Sequence, residues 1–158
     1  MIDTRKIQTN ESVAIDTTVE IVMPKGFGAR DTAVAVAGRL KKVGEGFALE
    51  AQGSCCLQMA CSRCLRPVDI DLPFHISESF AEEEAATGEE IGFSDFTIDI
   101  LPAVQRNLFL NIPMKPLCAV DCAGLCKQCG MNFNDGDCDC KGEIVNEQFQ
   151  QLLQMFDD

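Results

Sequence analysis

Residues 47–80 read FALEAQGSCCLQMACSRCLRPVDIDLPFHISESF, and their alternation decides the fold. Phe47, Leu49, Ala51, Gly53, Cys55, Leu57 and Met59 take every odd place while Glu50, Gln52, Ser54 and Gln58 take even ones, which is the period of a strand with one buried and one wet face. After CSRC the apolar set moves to even places: Val68, Ile70, Leu72, Phe74, Ile76 and Phe80, with Asp69, Asp71, His75, Ser77 and Ser79 between them. Two strands are predicted, joined as a hairpin whose tip is Cys61-Ser-Arg-Cys64. Thiolates at two-residue spacing can grip one tetrahedral ion about 2.3 Å from each sulfur, so this tip is a natural metal knuckle. Cys55 is expected to face inward and Cys56 outward, both as small strand residues rather than ligands. His75, the one histidine of the chain, falls on the polar face as a solvated side chain.

The pattern continues on the N-terminal side. In TAVAVAGRLKK, residues Val34, Val36, Gly38 and Leu40 share one face, and the turn VGEG (43–46) is rich enough in glycine to close a hairpin. IDTTVEIVMP (15–24) offers a further strand with Val19, Ile21 and Met23 on one side, followed by a loop, KGFGARD. On the C-terminal side, AEEEAATGEEIGFSD (81–95) turns abruptly acidic and reads as a solvated, mobile excursion, or as a lure for a basic partner such as a ribosomal protein. FTIDILP (96–102) leads into a helix starting near Pro102, where a missing N–H costs nothing. Val104 and Leu108 form its stripe, Leu101 and Ile112 extend it, and Pro113 ends it. The helix is a strut that delivers the next segment to the sheet.

That segment, LCAVDCAGLCKQCGMNFNDGDCDCK (117–141), carries six of the ten cysteines. Cys126-Lys-Gln-Cys129-Gly is a zinc-knuckle signature, because the glycine lets backbone amides turn back toward sulfur. Cys138-Asp-Cys140 is a tighter pair reached through NFNDGD, whose Asn, Asp and Gly can make a return turn. These four form one self-contained site. Cys118 and Cys122 are then left to join Cys61 and Cys64 in a second, giving one or two structural zinc ions. The spacing Cys122-x3-Cys126-x2-Cys129 also matches that of a cluster in radical enzymes, but the chain is too short for their barrel. A redox pair at Cys126 and Cys129 would want a strand and helix of thioredoxin type, where this chain has a polar loop. Disulfides would require export, and neither an export signal nor a run of about twenty apolar residues is evident, so a cytoplasmic chain with reduced thiols is expected. GEIVNEQFQQLLQMFDD (142–158) reads as an amphipathic C-terminal helix with Val145, Phe149, Leu152 and Phe156 on one stripe.

Charge narrows the function. With 13 basic against 25 acidic residues and a net charge of -12, the chain cannot hold nucleic acid by bulk electrostatics, so any RNA contact is local or indirect. The candidates for contact with RNA or a partner are Arg63, Arg66, Lys115 and Lys127, the basic residues beside the cysteines. No Ser, His and Asp convergence is present to activate a nucleophile, so neither an enzyme nor a small-molecule substrate is expected.

The segments CSRCLRPVDIDLPFHISESF, IDILPAVQRNLFLNIPMKPLC, GLCKQCGMNFN and CDC, in this order around an acidic insert, resemble the YceD-type family of large ribosomal RNA subunit accumulation proteins over roughly residues 32–156. The resemblance implies a non-enzymatic cytosolic protein needed for accumulation or processing of large-subunit ribosomal RNA, with that RNA precursor or a ribosomal protein as partner and no membrane. An acidic adaptor that shields a basic ribosomal protein, and a redox-gated zinc holdase, are the rival classes. The expected architecture is α+β. A β-rich unit (1–112) forms a twisted antiparallel sheet or partial barrel with acidic insert 81–95 and the strut helix. A cysteine-rich, zinc-stapled segment with the C-terminal helix (113–158) packs against it as one unit.

Overall fold

The hairpin of residues 47–80 is the middle of the sheet in the computed structural model, which describes residues 1–5, 7, 12–24, 31–84, 86 and 90–140. Strands β1 (Ile2–Asp3), β2 (Ser12–Ile21), β3 (Thr32–Val43), β4 (Gly46–Ala60), β5 (Pro67–Glu82), β6 (Ile91–Phe93) and β7 (Thr97–Ile98) precede helix α1 (Leu101–Asn111). The β4–β5 ladder runs from Phe47 opposite Phe80 to Ala60 opposite Pro67. Its inward residues Leu49, Leu57 and Ile76 are nearly or fully buried. β3 pairs with β4 through a tight turn in which Gly44 has φ 63°, as a turn with glycine at its first central position requires. β2 adds antiparallel to β3 and buries Ile15 and Ile21.

One expectation is corrected here. Residues 81–95 are not a single solvated excursion: Ala81 and Glu82 continue β5, and β6 pairs parallel to β5 with Phe80 opposite Ile91. The apolar residues of IGF are the cause, since Phe93 is buried and meets Phe47 edge-on with ring centroids 5.5 Å apart. The main sheet is therefore mixed rather than antiparallel throughout, and it is open, in the order β2-β3-β4-β5-β6. A second, two-stranded sheet pairs β1 with β7, and Thr4 reinforces it by donating both its amide and its hydroxyl to the Phe96 carbonyl at 2.8 Å.

Helix α1 begins at Leu101 and Pro102, and its first free amide, that of Leu101, is satisfied by Asp99 Oδ1 at 3.0 Å. It buries Ala103, Val104 and Leu108, while Leu101 stays partly exposed rather than extending the stripe. Ile112 leaves the helix with φ -61° and ψ 126°, the extended geometry imposed on a residue before proline. Glu78, an acid on the inward face of β5, accepts from Asn107 Nδ2 at 2.6 Å and Arg106 Nη1 at 3.1 Å, so the helix docks partly through a charged pair. The predicted C-terminal helix and the loop 25–30 lie outside the described residues. No helix among the described residues is long and apolar enough to cross a membrane.

Candidate metal centres

Two CxxC turns in this chain have the same geometry. In the hairpin tip, Cys61 N donates to Arg66 O at 2.7 Å, Leu65 N to Cys61 O at 2.9 Å, and Arg63 N points at Cys61 Sγ at 3.5 Å. In the second, Cys126 N donates to Met131 O at 2.7 Å, Gly130 N to Cys126 O at 2.9 Å, and Gln128 N points at Cys126 Sγ at 3.4 Å. Both turns require a left-handed residue directly after the second cysteine. Gly130 supplies it at φ 74°, and Leu65 supplies it at φ 60° against its steric preference. The second knuckle is carried on a small hairpin, with Leu125 bridged antiparallel to Asn132 and Phe133 N donating to Gly124 O at 2.9 Å.

Pro113 and Pro116 end the helix and steer the chain back to the hairpin tip, where Ser62 N donates to Pro116 O at 2.8 Å. This places Cys118 and Cys122 against Cys61 and Cys64. Among the described residues, two sets of sulfurs each lie within 4.8 Å of one another: Cys61, Cys64, Cys118 and Cys122, and Cys126, Cys129, Cys138 and Cys140. None of the ten cysteines is in a disulfide. Cys61 Sγ and Cys122 Sγ are 3.9 Å apart, and Cys64 Sγ and Cys118 Sγ 3.5 Å. A tetrahedron of sulfurs about 2.3 Å from a central ion has edges of about 3.8 Å, so the first set fits a four-thiolate metal site. The two sets differ in burial. In the first set Cys61, Cys64 and Cys122 are buried and Cys118 is exposed, whereas in the other Cys126 is buried, Cys138 half-buried, and Cys129 and Cys140 exposed.

The thiols are electrostatically unequal. Backbone amides of Cys64 and Arg63 aimed at its sulfur hold Cys61 down to about 6, and those of Cys129 and Gln128 do the same for Cys126. The neighbouring Cys64 thiol pushes Cys118 up to about 12, and Cys129 pushes Cys140 up to about 12. Burial raises Cys122, but donation from Asn134 and the Gly124 amide turns the net shift downward. Each set thus favours some negative charge yet resists full ionisation, an arrangement that a divalent cation at its centre would complete.

The four basic candidates separate. Arg63 Nη1 donates to Cys122 O at 2.8 Å and Arg66 pairs with Asp135, so both tie the hairpin tip to the cysteine loop. Lys115 and Lys127 are exposed, and among the described residues neither has a hydrogen-bond or ion-pair partner. Cys55 and Cys56 stand apart from both sets, half-buried and exposed respectively. His75 is on the wet face, where Glu50 receives both its Nε2 at 3.1 Å and the Ser77 hydroxyl at 2.7 Å. Sequence reasoning gave Asn132 and Asn134 a place in the return turn NFNDGD but no contact with a sulfur. Asn134 Nδ2 reaches Cys122 Sγ at 3.3 Å, and the G-x-N-x-N pattern after Cys129 was the available signal.

No solved structure matches this chain. An uncharacterised protein of Mycobacterium tuberculosis is 34% identical over 99 residues, covering 59% of this chain and 48% of the relative. One from Mycobacterium leprae is 30% identical over 82 residues, covering 46% and 36%. The chain thus spans about half or less of the length of the curated relatives it matches. The match that decides identity covers residues 49–156, from within the central hairpin past both cysteine sets. On that match, the chain belongs to the family described as large ribosomal RNA subunit accumulation protein YceD.

Proposed function

We propose that this protein is a non-enzymatic cytoplasmic factor that promotes accumulation, processing or assembly of large-subunit ribosomal RNA, with one zinc ion held in each four-cysteine set. The supporting observation is that two all-sulfur sets lie inside the region shared with the family, one of them joining the sheet to the loop that follows the helix. Four thiolates in tetrahedral reach suit zinc, which when bound supplies a redox-inert cross-link and no chemistry on a substrate. Cys61 and Cys64 then fix the hairpin tip, Cys118 and Cys122 anchor the strut helix to it, and Arg63 and Arg66 brace the same junction. The product is a rigid surface on an otherwise acidic body. Local RNA contact falls to the exposed Lys115 and Lys127, beside the two sets.

Elemental analysis and gel shifts with large-subunit precursor RNA test this reading. About two zinc atoms per chain are expected, together with an RNA shift that weakens in Lys115→Glu and Lys127→Glu. Iron in place of zinc would reject the structural-zinc assignment, and equal shifts in wild type and variants would reject direct contact at those lysines. A second reading, an acidic adaptor for a basic ribosomal protein, is favoured by a cleft lined by Glu82, Glu83, Glu84, Asp95 and the exposed Phe96. Its binding would fall with salt and ignore RNA.

A further inference from the structure

Asn134, in the loop between Cys129 and Cys138, engages three partners with its carboxamide. Its Nδ2 donates to Cys122 Sγ at 3.3 Å in the first set and to Asn132 Oδ1 at 2.6 Å, while its Oδ1 accepts from Ala123 N at 2.9 Å. Asn132 Oδ1 also accepts the Asn134 amide at 3.0 Å, and Asn132 is bridged to Leu125, the residue preceding Cys126. The position of Asn134 is therefore set by the loop that closes around Cys126, Cys129, Cys138 and Cys140, together with the neighbouring Asp135, which pairs with Arg66 of the hairpin tip. Beyond Cys126 that loop contributes no described residue to either apolar cluster, and Met131 and Phe133 are partly exposed. Apolar packing does not hold it closed; four sulfurs converging on an ion would.

We propose that Asn134 is a positioning residue through which the two sets load their ions cooperatively. An ion in the 126–140 loop orders Asn132 and Asn134, and Asn134 then presents its donor to the Cys122 thiolate, orienting that sulfur and stabilising its charge for the ion of the first set. By linkage, loading the first set favours closure of the loop by the same factor. This rests on the reading that both sets hold zinc.

The test is zinc titration of metal-free full-length protein against a chromophoric chelator, with cobalt(II) as spectroscopic probe. Asn134→Ala is expected to lower affinity at the Cys61 set by about 10–100-fold when the 126–140 set is loaded, and the 126–140 set by the same factor when the Cys61 set is loaded, while the 126–140 set measured with the Cys61 set empty changes by less than about threefold. Asn134→Asp, which keeps the acceptor for Ala123 N but replaces the donor by a carboxylate, is expected to lose at least as much. Each should shift the thiolate-to-cobalt band of the Cys61 set to lower energy, a signature that loss of folding would abolish rather than shift. Cys138→Ser/Cys140→Ser should weaken the Cys61 set to the same degree, with no further loss when Asn134→Ala is added. Unchanged affinity and an unshifted band in both Asn134 variants, or strictly additive losses in the combined variant, would overturn the proposal with the zinc reading intact. Wild-type protein that takes up no metal would overturn both.

Discussion

Replacing Gly130 by alanine isolates what the second knuckle spends on its left-handed residue. Gly130 has φ 74°, and a Cβ added there meets nothing within 4 Å, so the substitution alters backbone energetics without altering packing. A non-glycine residue in this region costs about 1–2 kcal/mol. Because about 1.4 kcal/mol is tenfold in an equilibrium constant, affinity for zinc at the 126–140 set should fall about five- to thirtyfold. Leu65 provides the reverse experiment, since it holds the same place with φ 60° and the same hydrogen bonds, and is 66% exposed. Leu65→Gly removes the strain but adds about 0.5–1 kcal/mol of unfolded-chain freedom, so the Cys61 set should gain at most about 1.5 kcal/mol, or about tenfold. Chelator competition reads the affinities, and a thermal melt of the zinc-loaded protein reads any cost that appears as stability instead. Gly130→Ala with both affinity and melting temperature unchanged would refute the reasoning, because the turn would then be tolerating a left-handed alanine without cost.

Three further outcomes follow from the geometry. A Cβ at Gly38 would lie 2.4 Å from Ala51 Cα and Glu50 O, whereas one at Gly53 would strike the Phe74 ring at 2.4 Å; urea denaturation should show both alanine variants destabilised by about 1–3 kcal/mol or more, with Phe74→Leu rescuing only Gly53→Ala. Leu108, fully buried on the helix, should lose about 2–5 kcal/mol on conversion to alanine, while the exposed Leu110 should change by less than about 0.5 kcal/mol in the same assay. Zinc release to a chelator should begin at the 126–140 set, whose Cys129 and Cys140 are exposed; release that begins at the Cys61 set would refute the link between exposure and lability.

Sequence pattern alone determined the central strands and their faces, because a period of two assigns every side chain of β3, β4 and β5 to one side as soon as the turns at Gly44 and Cys61 are placed. The two knuckles were likewise legible, since a CxxC turn is local and its hydrogen bonds close within six residues. Alternation assigns a face but names no neighbour. That β6 returns parallel beside β5, that β1 pairs with β7, and that Glu78 turns inward toward Asn107 and Arg106 are decided by contacts between distant segments. The same holds around the sulfurs: Arg63 and Arg66 look like free surface cations in the sequence, and only the approach of the 118–135 loop gives them a carbonyl and a carboxylate to bind. Asn134 illustrates the division most plainly. Its side chain matters because the fold carries it 3.3 Å from a sulfur twelve residues earlier, a proximity that the G-x-N-x-N spacing permits and that the closing of the loop decides.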